Sequence, residues 1–154
     1  VSTDHRTAVV LAVVDLLDDW ADLAGVQVEA GWPGDNQRDE AVWVDEMDGT
    51  LTLPATGPAT VLADDEFRIP IEVRVAQAGG LARTRARLGE IVAAVTDAIR
   101  SKPDLDDLAG TGWALLDIAF DGSQRRDAVW DSPGGALGAA RLEPVANVRL
   151  TSES

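Results

Sequence analysis

Val10, Val13, Val14, Leu17, Ala21 and Ala24 recur at the spacing of one face of an α-helix. They predict a first helix over residues 7–24, with Trp20 bordering the apolar face. Thr7 is a candidate cap and Gly25 a candidate stop, since helices commonly end on a left-handed glycine. Residues 1–6 read as a polar tail. Val26-Gln27-Val28-Glu29-Ala30 alternates as a half-buried strand does. Gly31, Trp32, Pro33, Gly34, Asp35 and Asn36 then make a turn cluster, and Ala41-Val42-Trp43-Val44 is the next strand, expected to pair antiparallel with the first. The clearest alternation is Phe67, Ile69, Ile71, Val73 and Val75 against Arg68, Pro70, Glu72, Arg74 and Ala76. Pro70 has no N–H for a ladder, which puts that part of the strand at an edge or a bulge.

Gly79-Gly80 ends this strand. Leu88, Ile91, Val92, Val95 and Ile99 then mark a second helix over residues 81–100, stopped by Pro103. A further strand follows, with Trp113, Leu115, Asp117 and Ala119 on one face and Ala114, Leu116, Ile118 and Phe120 on the other. Leu142, Pro144, Ala146, Val148 and Leu150 keep register in a last strand over residues 140–151. Two stretches carry no such period. Residues 45–66 begin acidic and become rich in Thr, Pro, Ala and Gly; Leu51 and Leu53 alternate with threonines, and residues 60–62 are placed to pair back on them. This is a flexible arm or an extended hairpin. Residues 121–138, with Arg125, Arg126 and Trp130, read as a second long loop. Loops of such length are functional or disordered in most compact domains. The expected fold is α+β: an antiparallel or mixed sheet of about five strands, two main helices packed on one face, and long loop or hairpin arms. At 154 residues the chain fits one domain, 1–154.

Charge narrows the partners. Thirteen basic against 27 acidic residues give a formal charge of −14, which argues against gripping nucleic-acid phosphates or an anionic membrane surface. It suits a wall that DNA passes without sticking. There is no cysteine, hence no disulfide, thiolate nucleophile or Cys-based metal site. No apolar run approaches the roughly 20 residues of a membrane span, and residues 8–17 lack the flanks of a signal peptide. The chain reads as soluble and non-exported.

Two charged stripes stand out on the predicted helices. Asp15, Asp18, Asp19 and Asp22 fall at spacings of three and four, and Arg83, Arg85 and Arg87 open the second helix. Like charges at those spacings repel, and arginine at a helix start opposes the macrodipole. Neither stripe stabilises its own helix, so the two are candidate halves of a contact between copies of the chain, with two solvated faces as the plainer alternative. Catalytic candidates are few. His5 is the single histidine and lies in the tail, and Lys102, the single lysine, is not in a phosphate-binding loop. A Ser-His-Asp or Cys-His system is therefore not expected, nor is a metal or another cofactor. The Asp stripe lacks the turn that calcium loops need; Asp104, Asp106 and Asp107 lie in a loop that suits a cation slightly better, or is a solvated turn. A carboxylate pair of the glycosidase kind stays open. Trp43 and Trp113 sit in strands and are expected in the core. Trp32 and Trp130 sit in loops, where exposed aromatics often mark interfaces, with local loop packing as the plainer alternative.

The element order, the size, the segment Val26-Gln27-Val28-Glu29-Ala30-Gly31-Trp32-Pro33-Gly34-Asp35, then Glu40-Ala41-Val42-Trp43-Val44, a long arm and Glu72-Val73-Arg74-Val75 before a helix together resemble the tail terminator (minor tail, tail completion) proteins of long non-contractile-tailed bacteriophages, especially those of actinobacterial hosts. The resemblance spans nearly the whole chain and includes no catalytic signature. It implies a structural virion protein in the tail, assembled in the host cytoplasm. Such a protein forms a homohexameric ring at the head-proximal end of the tail tube, stops tube growth and meets the head-tail connector, with DNA passing through the lumen. The partners implied are a second copy, the tail tube protein and the connector; no membrane and no enzymatic activity are implied. The stripes Asp15, Asp18, Asp19, Asp22 and Arg83, Arg85, Arg87 would form the subunit interface. Trp32, Arg125, Arg126 and Trp130 would touch neighbouring rings. The alternatives are a head-closure or connector protein of the same neck region, a small carboxylate-using intracellular enzyme, and a generic binding module.

Overall fold

The computed structural model describes residues 4–45, 63–121 and 126–151. Helix α1 spans His5–Asp18 and helix α2 spans Leu81–Ser101. The strands are β1 (Gln27–Glu29), β2 (Glu40–Val44), β3 (Ala63–Arg68), β4 (Ile71–Gln77), β5 (Ala109–Gly110), β6 (Trp113–Ala119), β7 (Arg126–Ser132), β8 (Gly135–Leu142) and β9 (Val145–Leu150). They form two sheets, β1-β2-β4-β8-β7 and β3-β9-β6-β5. The fold is α+β, as the alternation predicts, but with more strands than the five expected.

Two of the four extra strands come from two prolines; the others are β5 and β7. The alternating run through Phe67 and Val75 is divided at Ile69-Pro70, and the run through Leu142 and Val148 at Glu143-Pro144. These two stretches lie side by side: Ile71 pairs with Leu142 in one sheet, Arg68 with Val145 in the other. Between them only one ladder bond crosses, from the Ile69 N–H to the Pro144 carbonyl at 2.9 Å. A proline cannot donate and its predecessor stays extended, so the ribbon bends there and passes from one sheet into the next. The core closes over this crossing, with Ile69, Ile71, Val73, Val42 and Val148 fully buried.

Helix α1 is shifted relative to its pattern. It starts at His5, capped by the Asp4 carboxylate, which accepts from the Arg6 N–H and the Thr7 hydroxyl. Residues 4–6 are thus part of the capped helix, not a tail. It ends at Asp18, and a short 3-10 turn over Ala21–Leu23 follows. Leu23, the large apolar residue of that stretch, lies off the Leu17 face of a continuous helix; breaking the helix brings both into the core. Gly25 then turns the chain at φ +85°.

Strands β1 and β2 run parallel, not antiparallel. The side chain of Gln27 explains the return: its Oε1 accepts from the Arg38 N–H at 2.7 Å and its Nε2 donates to the Asn36 carbonyl at 3.1 Å. The connection, with a 3-10 turn at Gly34–Asn36, is therefore brought back to the start of β1 before β2 begins.

Residues 126–138, expected in a long loop, form β7 and the first half of β8, joined through Pro133-Gly134. The burial of β8 alternates along its whole length, but in Ala and Gly, which carry little hydrophobic signal. Small size is what the position demands. A Cβ on Gly138 would stand 3.1 Å from Thr84 Cγ2 and 3.5 Å from Leu88 Cδ2, so α2 seats directly on β8 and β4. The predicted arm is likewise shortened at its end, where Asp64, Asp65 and Glu66 belong to β3; Leu51, Leu53 and residues 60–62 lie outside the described residues. In β6 a bulge between Leu115 and Asp117 shifts the phase, so Trp113, Leu115 and Ile118 are buried while Leu116 is exposed.

Candidate subunit interface

The start of α2 is basic, with Arg83, Arg85 and Arg87 in its first two turns. Its N-cap is Gly80, at φ +87° and without a side-chain cap, which leaves the first amides of the helix free and its end electropositive. Arg83 and Arg85 are exposed. They point to different sides, because two residues turn a helix by roughly 200°. Arg87 shares the Arg83 side and is already engaged. Its Nε and Nη2 donate to the Glu40 carboxylate at 2.6 and 2.8 Å, and its Nη1 to Glu90 at 3.0 Å. The Glu40 bond, against partial burial, holds Arg87 well above the ordinary guanidinium range, and the same bond lowers the Glu40 carboxyl. Arg87 thus ties α2 to the start of β2.

Between these elements lies an open cleft of about 860 Å³, floored by Ala76, Gln77, Ala78 and Gly79 and walled by Arg38, Asp39, Glu40, Arg83, Arg87 and Glu90. Arg38 was not singled out by the sequence, where it is one charge in a polar turn. Its guanidinium and that of Arg83 have no acidic partner among the described residues.

Asp15 and Asp19 lie beside the other end of α2, which itself carries Arg100 and Lys102. Asp15 and Asp18 are on α1, Asp19 is its C-cap, and Asp22 is in the 3-10 turn; the four are exposed but do not form one helical stripe. None has a side-chain partner among the described residues. Asp15 and Asp19 share a groove of about 180 Å³ with Lys102, Leu105 and Asp106. Lys102 is the C-cap of α2 and pairs with Asp106 at 3.0 Å. Leu105, Asp106 and Asp107 take φ values of 50°, 59° and 61°, a left-handed run that aspartate tolerates better than most residues. The ends of both helices meet carboxylates where the macrodipole favours cations. Along the α2 axis the arginine end and this end are about 28 Å apart, at 1.5 Å per residue. Among the described residues no group of three or more His, Asp or Glu side chains is placed to hold a metal.

The second candidate surface is the face of the five-stranded sheet turned away from the helices. Trp43, Glu72, Arg141 and Arg126 are matched in one row across β2, β4, β8 and β7. Arg141 bonds Glu72 at 2.8 Å, Glu143 at 3.0 Å and Asp45 at 3.3 Å, and Arg74 lies over the Trp43 ring at 5.8 Å. Two rows further on, Ala76, Leu137 and Trp130 follow each other. Trp130 is 40% exposed and Trp32, at the β1 side, 71%. Arg126 is exposed on the edge strand β7; Arg125 lies outside the described residues. Trp43 and Trp113 are buried, as expected.

His5 is not an idle tail residue. Its Nε2 lies 2.6 Å from Asp65, and Arg6 donates to both oxygens of the same carboxylate at 2.8 and 2.9 Å. Asp65 is 4% exposed. The cluster fastens α1 to β3 and rests against Phe67 and Trp113.

Among the described residues no helix is long and apolar enough to cross a membrane. No protein-family model matches the chain, and no curated protein does. Among solved structures the chain is similar to one described as "Virion of native gene transfer agent (GTA) particle", with a TM-score of 0.65 and 22% identity over 96% of this chain and 99% of that one. The two share a fold along nearly the full length of both.

Proposed function

We propose that the chain is a structural protein of a phage-like virion, and specifically a tail terminator: a subunit of a homohexameric ring on the head-proximal end of the tail tube. The observation that carries this reading is the end-to-end likeness in fold to a chain of a gene transfer agent virion, added to the tail-terminator resemblance of the sequence. The charge layout supports it. A ring needs two different patches that fit each other head to tail; exposed Arg83 and Arg85 at the start of α2, and exposed Asp15, Asp18, Asp19 and Asp22 on α1 and the turn after it, are candidates of opposite sign. The remaining acidic surface suits a lumen that DNA passes without adhering. Trp32, Arg126 and Trp130 offer exposed aromatic and guanidinium groups of the kind that anchor interfaces, toward the tube protein or the connector. The role is assembly in the virion, not catalysis.

A connector or head-closure role in the same neck region is the second reading, because the matching particle is described without the chain's position in it. Tube capping separates the two. Purified chain added to polymerising tail tubes should bind one tube end and halt growth if it is a terminator. A connector would leave tube length unchanged and bind only tubes already finished.

A further inference from the structure

The five-stranded sheet ends on β7, and five of the seven residues of that strand are exposed. The other open edges are shorter or gripped. β1 has three residues and β5 two, and β3, with six, is held to α1 through Asp65. Ser132 and Gly135 flank the two-residue turn and pair with each other. In such a hairpin the flanking pair is hydrogen-bonded, and bonded pairs then alternate along the ladder. Arg126, Ala128 and Trp130 therefore direct their backbone groups to β8. Asp127, Val129 and Asp131 direct theirs away from the sheet, at intervals of about 6.8 Å. Among the described residues no backbone bond from another element reaches these three. Native sheets close long edges with prolines, bulges or charged side chains. β7 has no proline and no bulge, so its charges decide what can pair with it.

The side chains of Asp127 and Asp131 lie on the helix side of the strand with Val129, which packs against the core. Arg126, Ala128 and Trp130 lie on the other side. Two β7 strands paired antiparallel about Val129 would set Asp127 of one copy directly against Asp131 of the other. The second long edge, β3, is acidic through Asp64, Asp65 and Glu66. Like charges directly opposite each other destabilise a ladder, so the long edges of a second copy are poor occupants. Ala128 and its cross-strand neighbour Ala139 are small, which leaves an apolar side chain room against the Trp130 ring. We propose that β7 receives an extended segment of a different protein of the assembly, added to the sheet as a further strand. Its basic side chains meet Asp127 and Asp131, and its apolar ones lie against Ala128 and Trp130. Main-chain bonds hold such a strand and the alternating side chains select it. That the other protein is a virion neighbour rests on the structural role proposed above.

The test is amide NMR of the full chain with a capped peptide of sequence Lys-Val-Thr-Val-Lys. The amides of Asp127, Val129 and Asp131 should shift and exchange more slowly with solvent, while those of Ala128 and Trp130, already bonded to β8, keep their exchange rates. The peptide Glu-Val-Thr-Val-Glu should bind about tenfold more weakly. Asp127→Lys with Asp131→Lys should exchange the two preferences, with the thermal midpoint nearly unchanged since both side chains are on the surface. Equal binding of the two peptides, no response to either, or a response centred away from β7 would overturn the proposal. Slower exchange at the same three amides in the chain alone, growing with its concentration, would overturn the assigned partner in favour of a second copy. Peptide binding as expected in a chain that caps no tube would contradict the terminator reading and leave the edge standing.

Discussion

Arg87 and Glu40, 47 positions apart, are joined by two bonds of 2.6 and 2.8 Å that pin the start of α2 to the start of β2. The pair is about three-quarters buried on each side, where charge-assisted bonds are screened less than at an open surface. Arg87→Ala should destabilise the chain by about 1–3 kcal/mol, seen as a drop in the thermal midpoint of about 2–4 °C per kcal/mol for a domain of this size. Arg87→Lys should recover little of this, since the fork is lost with the guanidinium. A midpoint unchanged in Arg87→Ala would show that the tie carries no stability.

The Asp65 cluster predicts an acid limit. Burial alone would raise the Asp65 carboxyl, but the bonds from Arg6 and His5 outweigh it and leave it below its ordinary value. Glu40 is lowered as well, by its bond to Arg87 against partial burial. A carboxylate lowered on folding gives stability that is complete above its unfolded value of about 4 and is lost as pH falls through the folded one. Chemical denaturation followed from neutral pH downward should therefore show a flat region and then a loss below about pH 4. Asp65→Asn should cost about 2–4 kcal/mol at neutral pH, because Arg6 is left half-buried and unpaired, and should flatten the acid slope. An unchanged slope would place the acid sensitivity elsewhere.

Gly138 is where α2 rests on the sheet. Gly138→Val adds a branched side chain where even a Cβ stands 3.1 Å from Thr84 Cγ2. The expected cost is about 1–3 kcal/mol of overpacking, measurable as a lower denaturation midpoint. Valine tolerated without loss would mean that α2 is free to lift from β8.

This glycine also shows what the sequence conceals. Both helices, β2, β4 and the heart of β6 were legible because their apolar residues are large and periodic. β8 alternates just as regularly, but Ala136 and Gly138 read as loop residues, and only the closeness of α2 explains the size of Gly138. Pro70 announced an interruption; that Pro144 lies beside it, so that both strands change sheets together, is a long-range fact. The parallel pairing of β1 depends on where the Gln27 side chain reaches, which spacing does not convey. At the candidate interface, the two charged regions were visible as charge. Their division into engaged Arg87 and unpaired Arg83, and the arrival of Arg38 beside the latter, required the fold.

Trp32 and Trp130 are predicted to matter for partners and not for folding. Trp32→Ala and Trp130→Ala should each shift stability by no more than about 0.5 kcal/mol and weaken binding to tail tubes or the connector in a sedimentation assay. Full binding by the double variant would remove them from the contact surface.

The most direct test of the account is the mass of the wild-type chain by light scattering, alone and with tail tubes, at low salt. The account predicts a closed species near six times the 16.3 kDa subunit, formed alone or on the tube end, and dispersed by high salt as its charge pairs are screened. A chain that remains at 16.3 kDa at every concentration and ignores tubes would contradict it.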